Sequence, residues 1–106
     1  MTLTNEEFKR YTEECGYTYI DCGDVIFAVN DRRDGVWLAE FAFGQKLRCC
    51  TDWNYQIGFG DIIYPTAPVE LTDISENNYK KHLYNMTKIR KEIIQAERER
   101  NLKEDF

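Results

Sequence analysis

Residues 24–43 read DVIFAVNDRRDGVWLAEFAF, which is two apolar runs separated by a polar segment. Both runs are rich in the β-branched and aromatic residues that favour strands. The polar segment, residues 30–35, consists of Asn, Asp, Arg and Gly, and three of these four residue types favour turns. The pattern therefore predicts a β-hairpin, with strands at 24–30 and 36–43.

The second strand of this hairpin is apolar on both sides. Simple alternation places Trp37, Ala39, Phe41 and Phe43 on one face, and Val36, Leu38, Glu40 and Ala42 on the other. A sheet with one solvated face alternates more cleanly between apolar and polar residues. We therefore expect covering elements on both sides of the sheet, or a binding partner on one of them.

The segment before the hairpin predicts a helix followed by a strand. Thr4 and Glu7 have the spacing of a capping box, and apolar residues follow at helical intervals. The helix is expected over residues 5–15, with Gly16 ending it. Residues 17–22 then return to the pattern of a strand.

The segment after the hairpin predicts short strands interrupted by loops. Strands are expected at 46–50 and 61–64, and residues 69–72 form an edge strand or are simply extended. The intervening residues 51–60 are expected to be a loop. Pro65 and Pro68, which lack an amide donor, are expected to end regular structure.

A long helix is expected over residues 75–101, because this segment contains neither Pro nor Gly and Ser75 can cap it. At about 1.5 Å per residue it would be roughly 40 Å long, whereas a domain of this size has a radius of gyration of about 13 Å. We expect the helix to project beyond the core. Apolar residues recur on it every seven positions, and four of them predict a self-association surface: Tyr79, Met86, Ile89 and Ile93.

Together these elements predict one α+β domain spanning residues 1–106. Its centre is a small antiparallel sheet of four or five strands, with the short N-terminal helix and the long C-terminal helix packed on it. A parallel sheet is not expected, because helices and strands do not alternate along the chain.

The composition disfavours several functional classes. The chain has 106 residues and a net charge of −5, which disfavours direct binding of nucleic acids or of anionic membranes. No apolar run reaches the ~18 residues that a bilayer requires, and the N-terminus does not read as a secretion signal. We expect a cytoplasmic protein with reduced cysteines and no cofactor. The spacings of Cys15, Cys22, Cys49 and Cys50 do not match a zinc site.

Charge is unevenly distributed along the chain. Residues 51–78 carry five acids and no base, whereas residues 79–91 carry five bases and no acid. The bases fit the solvated face of a helix, but the acidic segment is also rich in aromatic residues. It predicts an acidic-aromatic surface for a basic partner, formed by Asp52, Trp53, Tyr55, Phe59, Asp61, Tyr64, Glu70 and Asp73.

The hairpin tip is a second candidate contact. Arg32 and Arg33 lie between Asp31 and Asp34, and these charges can simply pair locally. Two adjacent arginines can also recognise carboxylates or phosphates through paired hydrogen bonds. The sequence leaves both interpretations open.

Three functions fit these features. The first is a small, acidic, non-enzymatic protein-binding module that inhibits a basic nucleic-acid-handling enzyme, in the style of nuclease immunity proteins or phage anti-defence inhibitors such as anti-CRISPRs. That comparison rests on size and charge. The second is a scaffold that dimerises through the C-terminal helix. The third is a metal-dependent hydrolase that uses Asp21, Asp24 and Glu40.

Overall fold

The computed structural model describes residues 2–30, 36–56 and 62–104. It contains two helices and five strands, and it confirms the α+β class. In chain order the elements are α1 (Asn5–Glu14), β1 (Thr18–Asp21), β2 (Val25–Val29), β3 (Trp37–Ala42), β4 (Lys46–Gln56), β5 (Ile62–Leu71) and α2 (Glu76–Glu104). No helix in the described part of the chain is long and apolar enough to cross a membrane.

The N-terminal helix begins at the predicted capping box. The Thr4 hydroxyl accepts the Glu7 amide at 3.1 Å, and the Glu7 carboxylate accepts the Thr4 amide at 2.9 Å. These two bonds satisfy backbone donors that have no partner inside the helix. The chain leaves α1 through Gly16, which has a φ of 84°. That conformation is accessible mainly to glycine, which is why glycine is common after the last turn of a helix.

The five strands form one antiparallel sheet in sequence order, β1-β2-β3-β4-β5. The turn from β1 to β2 has Gly23 at its first central position, with a φ of 88°, and glycine is favoured there. The turn from β3 to β4 contains Phe43 and Gly44, with φ of 54° and 63°. Each strand therefore lies antiparallel to its neighbours in sequence.

The prediction for residues 51–72 was wrong in its boundaries. β4 continues through Asp52 and Trp53 to Gln56, where a loop was expected, and β5 runs through both prolines. Pro65 pairs with Trp53, and Pro68 pairs with Cys50. The prolines are tolerated because β5 is an edge strand, where a missing amide donor does not interrupt a ladder on both sides.

Both helices pack on one face of the sheet. On that face Ile26, Phe41, Leu47 and Leu71 lie opposite one another across β2 to β5. Phe8 of α1 stacks on Tyr79 of α2, with ring centroids 4.7 Å apart. The core consists of this sheet face and the inner sides of the helices, and it contains Leu3, Phe8, Tyr11, Tyr17, Ile26, Ala28, Leu38, Ala39, Phe41, Leu47, Cys49, Cys50, Trp53, Leu71, Tyr79, Leu83 and Met86.

A β-bulge changes which residues of β3 face the core. Ala28 pairs with Ala39, but the next residue, Val29, pairs with Trp37, so Leu38 is the extra residue. At a bulge, strict alternation of faces fails. Leu38 is only 1% exposed and joins the core. Trp37 shares the face of Val29, contrary to the alternation expected from the sequence.

The long helix extends beyond the sheet. It contains 29 residues, which corresponds to a length of about 43 Å at about 1.5 Å per residue. The molecule measures 53 × 25 × 22 Å along its principal axes. Tyr79, Leu83 and Met86 are buried against the sheet. Arg98 to Arg100 are exposed, so the core contacts of α2 lie in its N-terminal two thirds.

Candidate protein-binding face

The second face of the sheet carries no described helix. Val29 and Ala42 are buried, yet both lie outside the core that the helices cover. Their register partners identify the other residues on this side of the strands. We call it the helix-free face; it includes Ile20, Val25, Phe27, Val29, Trp37, Glu40, Ala42, Lys46, Arg48, Asp52, Asn54, Tyr64 and Glu70.

One row of residues crosses this face through all five strands. Ile20 lies opposite Phe27, Phe27 opposite Glu40, Glu40 opposite Arg48, and Arg48 opposite Glu70. The row is apolar on β1 and β2 and charged from β3 to β5. The helix-free face therefore has an apolar half and a charged half that meet at Glu40.

Two side-chain contacts organise the helix-free face locally. The Arg48 guanidinium carbon lies 5.3 Å from the centroid of the Trp37 ring. A guanidinium this close to an aromatic ring makes a cation–π contact. Asn54 donates from Nδ2 to the Tyr64 hydroxyl at 2.6 Å. Each aromatic ring is thus held by a polar neighbour on the adjacent strand.

The predicted acidic-aromatic surface is only partly assembled. Asp52, Tyr64 and Glu70 lie on the helix-free face, because they occupy alternate positions of β4 and β5. Tyr55 alternates to the other side, and Asp73 is exposed in the segment after β5. Phe59 and Asp61 lie outside the described residues.

Trp53 was wrongly assigned to that surface. It is 5% exposed, and its indole Nε1 donates to the carbonyl of Met86 at 2.7 Å. Arg90 lies 5.9 Å from the ring centroid. Trp53 therefore joins β4 to α2, because it lies on the same side of β4 as the core residues Leu47 and Cys49.

The self-association surface was also wrong for two of its residues. Tyr79 is fully buried and Met86 is 3% exposed, both within the chain's own core. Ile89 and Ile93 are half-buried and pack against the same core. The seven-residue repeat of α2 therefore describes how the helix packs on its own sheet.

The three carboxylates of the hydrolase hypothesis do not form a metal-binding group. Asp21 accepts the Gly23 amide at 2.8 Å and caps the first hairpin turn. Glu40 lies on the helix-free face, opposite Phe27 and Arg48. Within residues 2–30, 36–56 and 62–104, no three His, Cys, Asp or Glu side chains are placed to hold a metal ion.

Cys49 and Cys50 lie in the core, and His82 lies beside them. Cys49 and Cys50 are buried, and burial raises the pKa of their thiols to about 12 and about 11. A thiol with such a pKa is almost entirely protonated and unreactive at neutral pH. His82 is half-buried, and desolvation, followed by the charge of Lys81, lowers its pKa.

The hairpin-tip hypothesis stays open. Asp31, Arg32, Arg33 and Asp34 lie outside the described residues, which resume after Gly35. The two strands that flank the tip, β2 and β3, pair as predicted.

The chain matches no protein-family model, no curated protein and no solved structure. The function therefore has to be argued from the chemistry of the helix-free face. Sequence reasoning did not assign Phe27, Trp37 or Arg48 to a binding site, and it assigned Glu40 only to the metal site of the hydrolase hypothesis. The signal that could have found them is the apolar character of both faces of residues 36–43, which predicted either covering elements on both sides or a partner on one side.

Proposed function

We propose that this protein is a non-enzymatic binding module whose helix-free face engages a protein with a basic surface. One observation carries the proposal. Four strands bring Phe27, Trp37, Glu40, Asp52 and Glu70 to a single sheet face that no described helix covers.

The composition of the helix-free face suits a protein interface. Trp and Tyr supply large contact areas and are enriched among the residues that dominate binding energy. Here Trp37 and Tyr64 are half-buried, so part of each ring is available to a partner. Three carboxylates, at positions 40, 52 and 70, outnumber the two bases Lys46 and Arg48 on this face. The excess of negative charge adds complementarity to basic partners and increases association rates.

A nucleic-acid-handling enzyme is the partner class that best fits this chemistry. Such enzymes carry basic surfaces that neutralise phosphates. An acidic protein that occupies this surface would exclude the substrate without any chemistry of its own. The same mode of action underlies the comparison with immunity proteins and anti-CRISPR inhibitors, which is a comparison of size and charge.

We place this activity in the cytoplasm. The four cysteines are free thiols, and Cys22 is exposed. Reduced thiols persist where glutathione and thioredoxin maintain a reducing environment.

Affinity capture with a charge-reversed variant tests the proposal. The bait is the whole chain, compared with a triple variant, Glu40→Lys/Asp52→Lys/Glu70→Lys. The matched control reverses three exposed acids on the helices, Glu6→Lys/Glu14→Lys/Glu92→Lys, and so makes the same change in net charge. Circular dichroism verifies that all three proteins are folded.

We expect the wild type and the control to capture the same basic protein, and the face variant to lose it. Purified partner is then assayed for nucleic-acid binding or cleavage, and an equimolar amount of the wild type should inhibit it. Equal capture by all three baits would refute the helix-free face as the binding site. Capture without inhibition would refute the inhibitor assignment.

A further inference from the structure

The outer edge of β1 presents unpaired backbone groups. The Cys22 amide donates to the Val25 carbonyl at 2.9 Å, which fixes the alternation of hydrogen bonds along the β1–β2 pair. Thr18 and Ile20 therefore bond to β2, and the amides and carbonyls of Tyr19 and Asp21 point outward. Among residues 2–30, 36–56 and 62–104, no backbone group bonds to these outward groups.

The opposite edge of the sheet is protected against strand pairing. β5 contains Pro65 and Pro68, which offer no amide donor. Between them Ala67 has a φ of 59°, a left-handed conformation that interrupts a regular edge. Prolines and local irregularities are devices that keep an edge strand from pairing with another chain. β1 contains neither proline nor a left-handed residue.

The side chains of β1 define what an added strand would contact. Ile20 lies on the helix-free face beside Phe27, so it favours an apolar neighbour. Asp21 is exposed on the other side of the strand, and Asp24 is exposed in the adjoining turn. An added strand would therefore place apolar side chains beside Ile20 and basic side chains beside Asp21.

We propose that the partner adds an antiparallel β-strand to β1, and that this strand alternates apolar and basic residues. The proposal rests on the proposed function and deepens it, because the added strand would continue the helix-free face. Four outward backbone groups set the register of the partner, and its alternate side chains supply specificity. β1 has only four residues, so the rest of the interface area comes from the helix-free face.

A strand peptide tests the edge directly. The probe is the acetylated and amidated heptapeptide Lys-Val-Lys-Val-Lys-Val-Lys. It is titrated to ~1 mM, so that binding with a dissociation constant as weak as ~1 mM can be detected. In the proposed register its lysines lie beside Tyr19 and Asp21, and its valines beside Ile20. One control peptide is N-methylated at the lysines, which removes the amides that face β1. A second is N-methylated at the valines, whose amides point away from β1.

NMR hydrogen exchange on the whole chain provides the readout. At ~1 mM peptide we expect the probe and the valine-methylated peptide to slow exchange of the Tyr19 and Asp21 amides by about twofold for a dissociation constant of about 1 mM, and by roughly tenfold for one of about 0.1 mM. The lysine-methylated peptide should have no such effect. Absence of protection at both amides, or equal protection by the lysine-methylated peptide, would overturn the proposal.

Variants tested against the captured partner separate this proposal from the proposed function. Because the Asp21 carboxylate also accepts the Gly23 amide, Asp21→Asn, which keeps an acceptor there, is the control for the turn. Asp21→Pro removes an outward amide without removing a β1–β2 hydrogen bond, and Asp21→Lys reverses the charge. We expect both to weaken partner binding at least as much as Asp24→Lys. If they leave binding unchanged while the Glu40→Lys/Asp52→Lys/Glu70→Lys variant abolishes it, the edge proposal fails and the function stands. If the face variant also binds normally, the proposed function fails.

Discussion

Phe43 has a left-handed backbone conformation that is unusual for a residue other than glycine. Its φ of 54° lies in the left-handed region, and its side chain is 68% exposed. A residue with a Cβ atom is disfavoured there by about 1–2 kcal/mol relative to the right-handed region. Its amide donates to the Asp24 carbonyl at 2.7 Å, which joins the two neighbouring hairpin turns. The backbone of Phe43 is thus held by the sheet, while its ring gains little burial.

Replacing Phe43 with glycine should stabilise the protein. Phe43→Gly relieves the left-handed strain and removes a ring that is mostly in water, so we expect the free energy of unfolding to increase by about 0.5–1 kcal/mol. Urea denaturation followed by circular dichroism measures the change. Phe43→Ala is the matched control, because it removes the same ring but keeps a Cβ atom at positive φ. A glycine variant less stable than the alanine variant would contradict this account of the turn.

At the scale of elements, local signals predicted some boundaries well. The capping box of Thr4 and Glu7 located the start of α1, and the polar segment between two apolar runs located the pairing of β2 with β3. Such signals lie within a few residues of the feature that they specify. The boundaries of β4 and β5 failed because Pro65 and Pro68 read as breakers, and only the sheet order reveals that β5 is an edge.

Burial on α2 and β3 was harder to predict than the elements themselves. Tyr79 and Met86 recur at a helical spacing, and that spacing is the same for a core stripe and for a dimer interface. The bulge at Leu38 changes which residues of β3 face the core. A bulge depends on pairing with a strand elsewhere in the chain. The sequence therefore identified residues that would be buried without identifying what would bury them.

The contact between α1 and α2 contains a hydrogen bond between two buried hydroxyl groups. The Thr12 hydroxyl donates to the Phe8 carbonyl at 2.7 Å, so the Tyr79 hydroxyl donates to Thr12 Oγ1, at 2.8 Å. Both residues are fully buried, and burial raises the pKa of Tyr79 well above its usual value. The Tyr79 hydroxyl therefore stays neutral, and it depends on Thr12 for its hydrogen bond.

A double-mutant cycle should reveal this dependence. Thr12→Val leaves the Tyr79 hydroxyl without its acceptor, and we expect a loss of about 1–3 kcal/mol in the free energy of unfolding. Tyr79→Phe should cost about 1 kcal/mol. The double variant should cost less than the sum of the two, because no buried hydroxyl is then left unpaired. Urea denaturation of the four proteins measures the cycle, and strictly additive losses would contradict the proposed pairing.

At the scale of the whole molecule, charge follows the two layers of the fold. The exposed side of α2 carries Lys81, Lys88 and Lys91, whereas on the helix-free face three acids (Glu40, Asp52 and Glu70) outnumber two bases (Lys46 and Arg48). The sequence predicted an acidic segment at residues 51–78, which includes Asp52 and Glu70 but not Glu40, followed by basic residues on the solvated face of a helix. It could not predict that the acids share a face with Phe27 and Trp37, since that depends on strand register.

The distribution of charge also determines how association should respond to salt. A basic partner approaching the helix-free face is steered by its carboxylates, and steering weakens as the screening length shortens from about 10 Å at about 0.1 M salt to about 3 Å at about 1 M. We expect the association rate constant with the captured partner to fall by roughly tenfold or more over this range, and the dissociation rate to change less. Stopped-flow or surface-binding kinetics measures both rates.

The control variant Lys88→Glu/Lys91→Glu makes the molecule more acidic without altering the helix-free face, and it should associate at least as fast as the wild type. An association rate that does not depend on salt would show that the carboxylates of the helix-free face do not steer the partner.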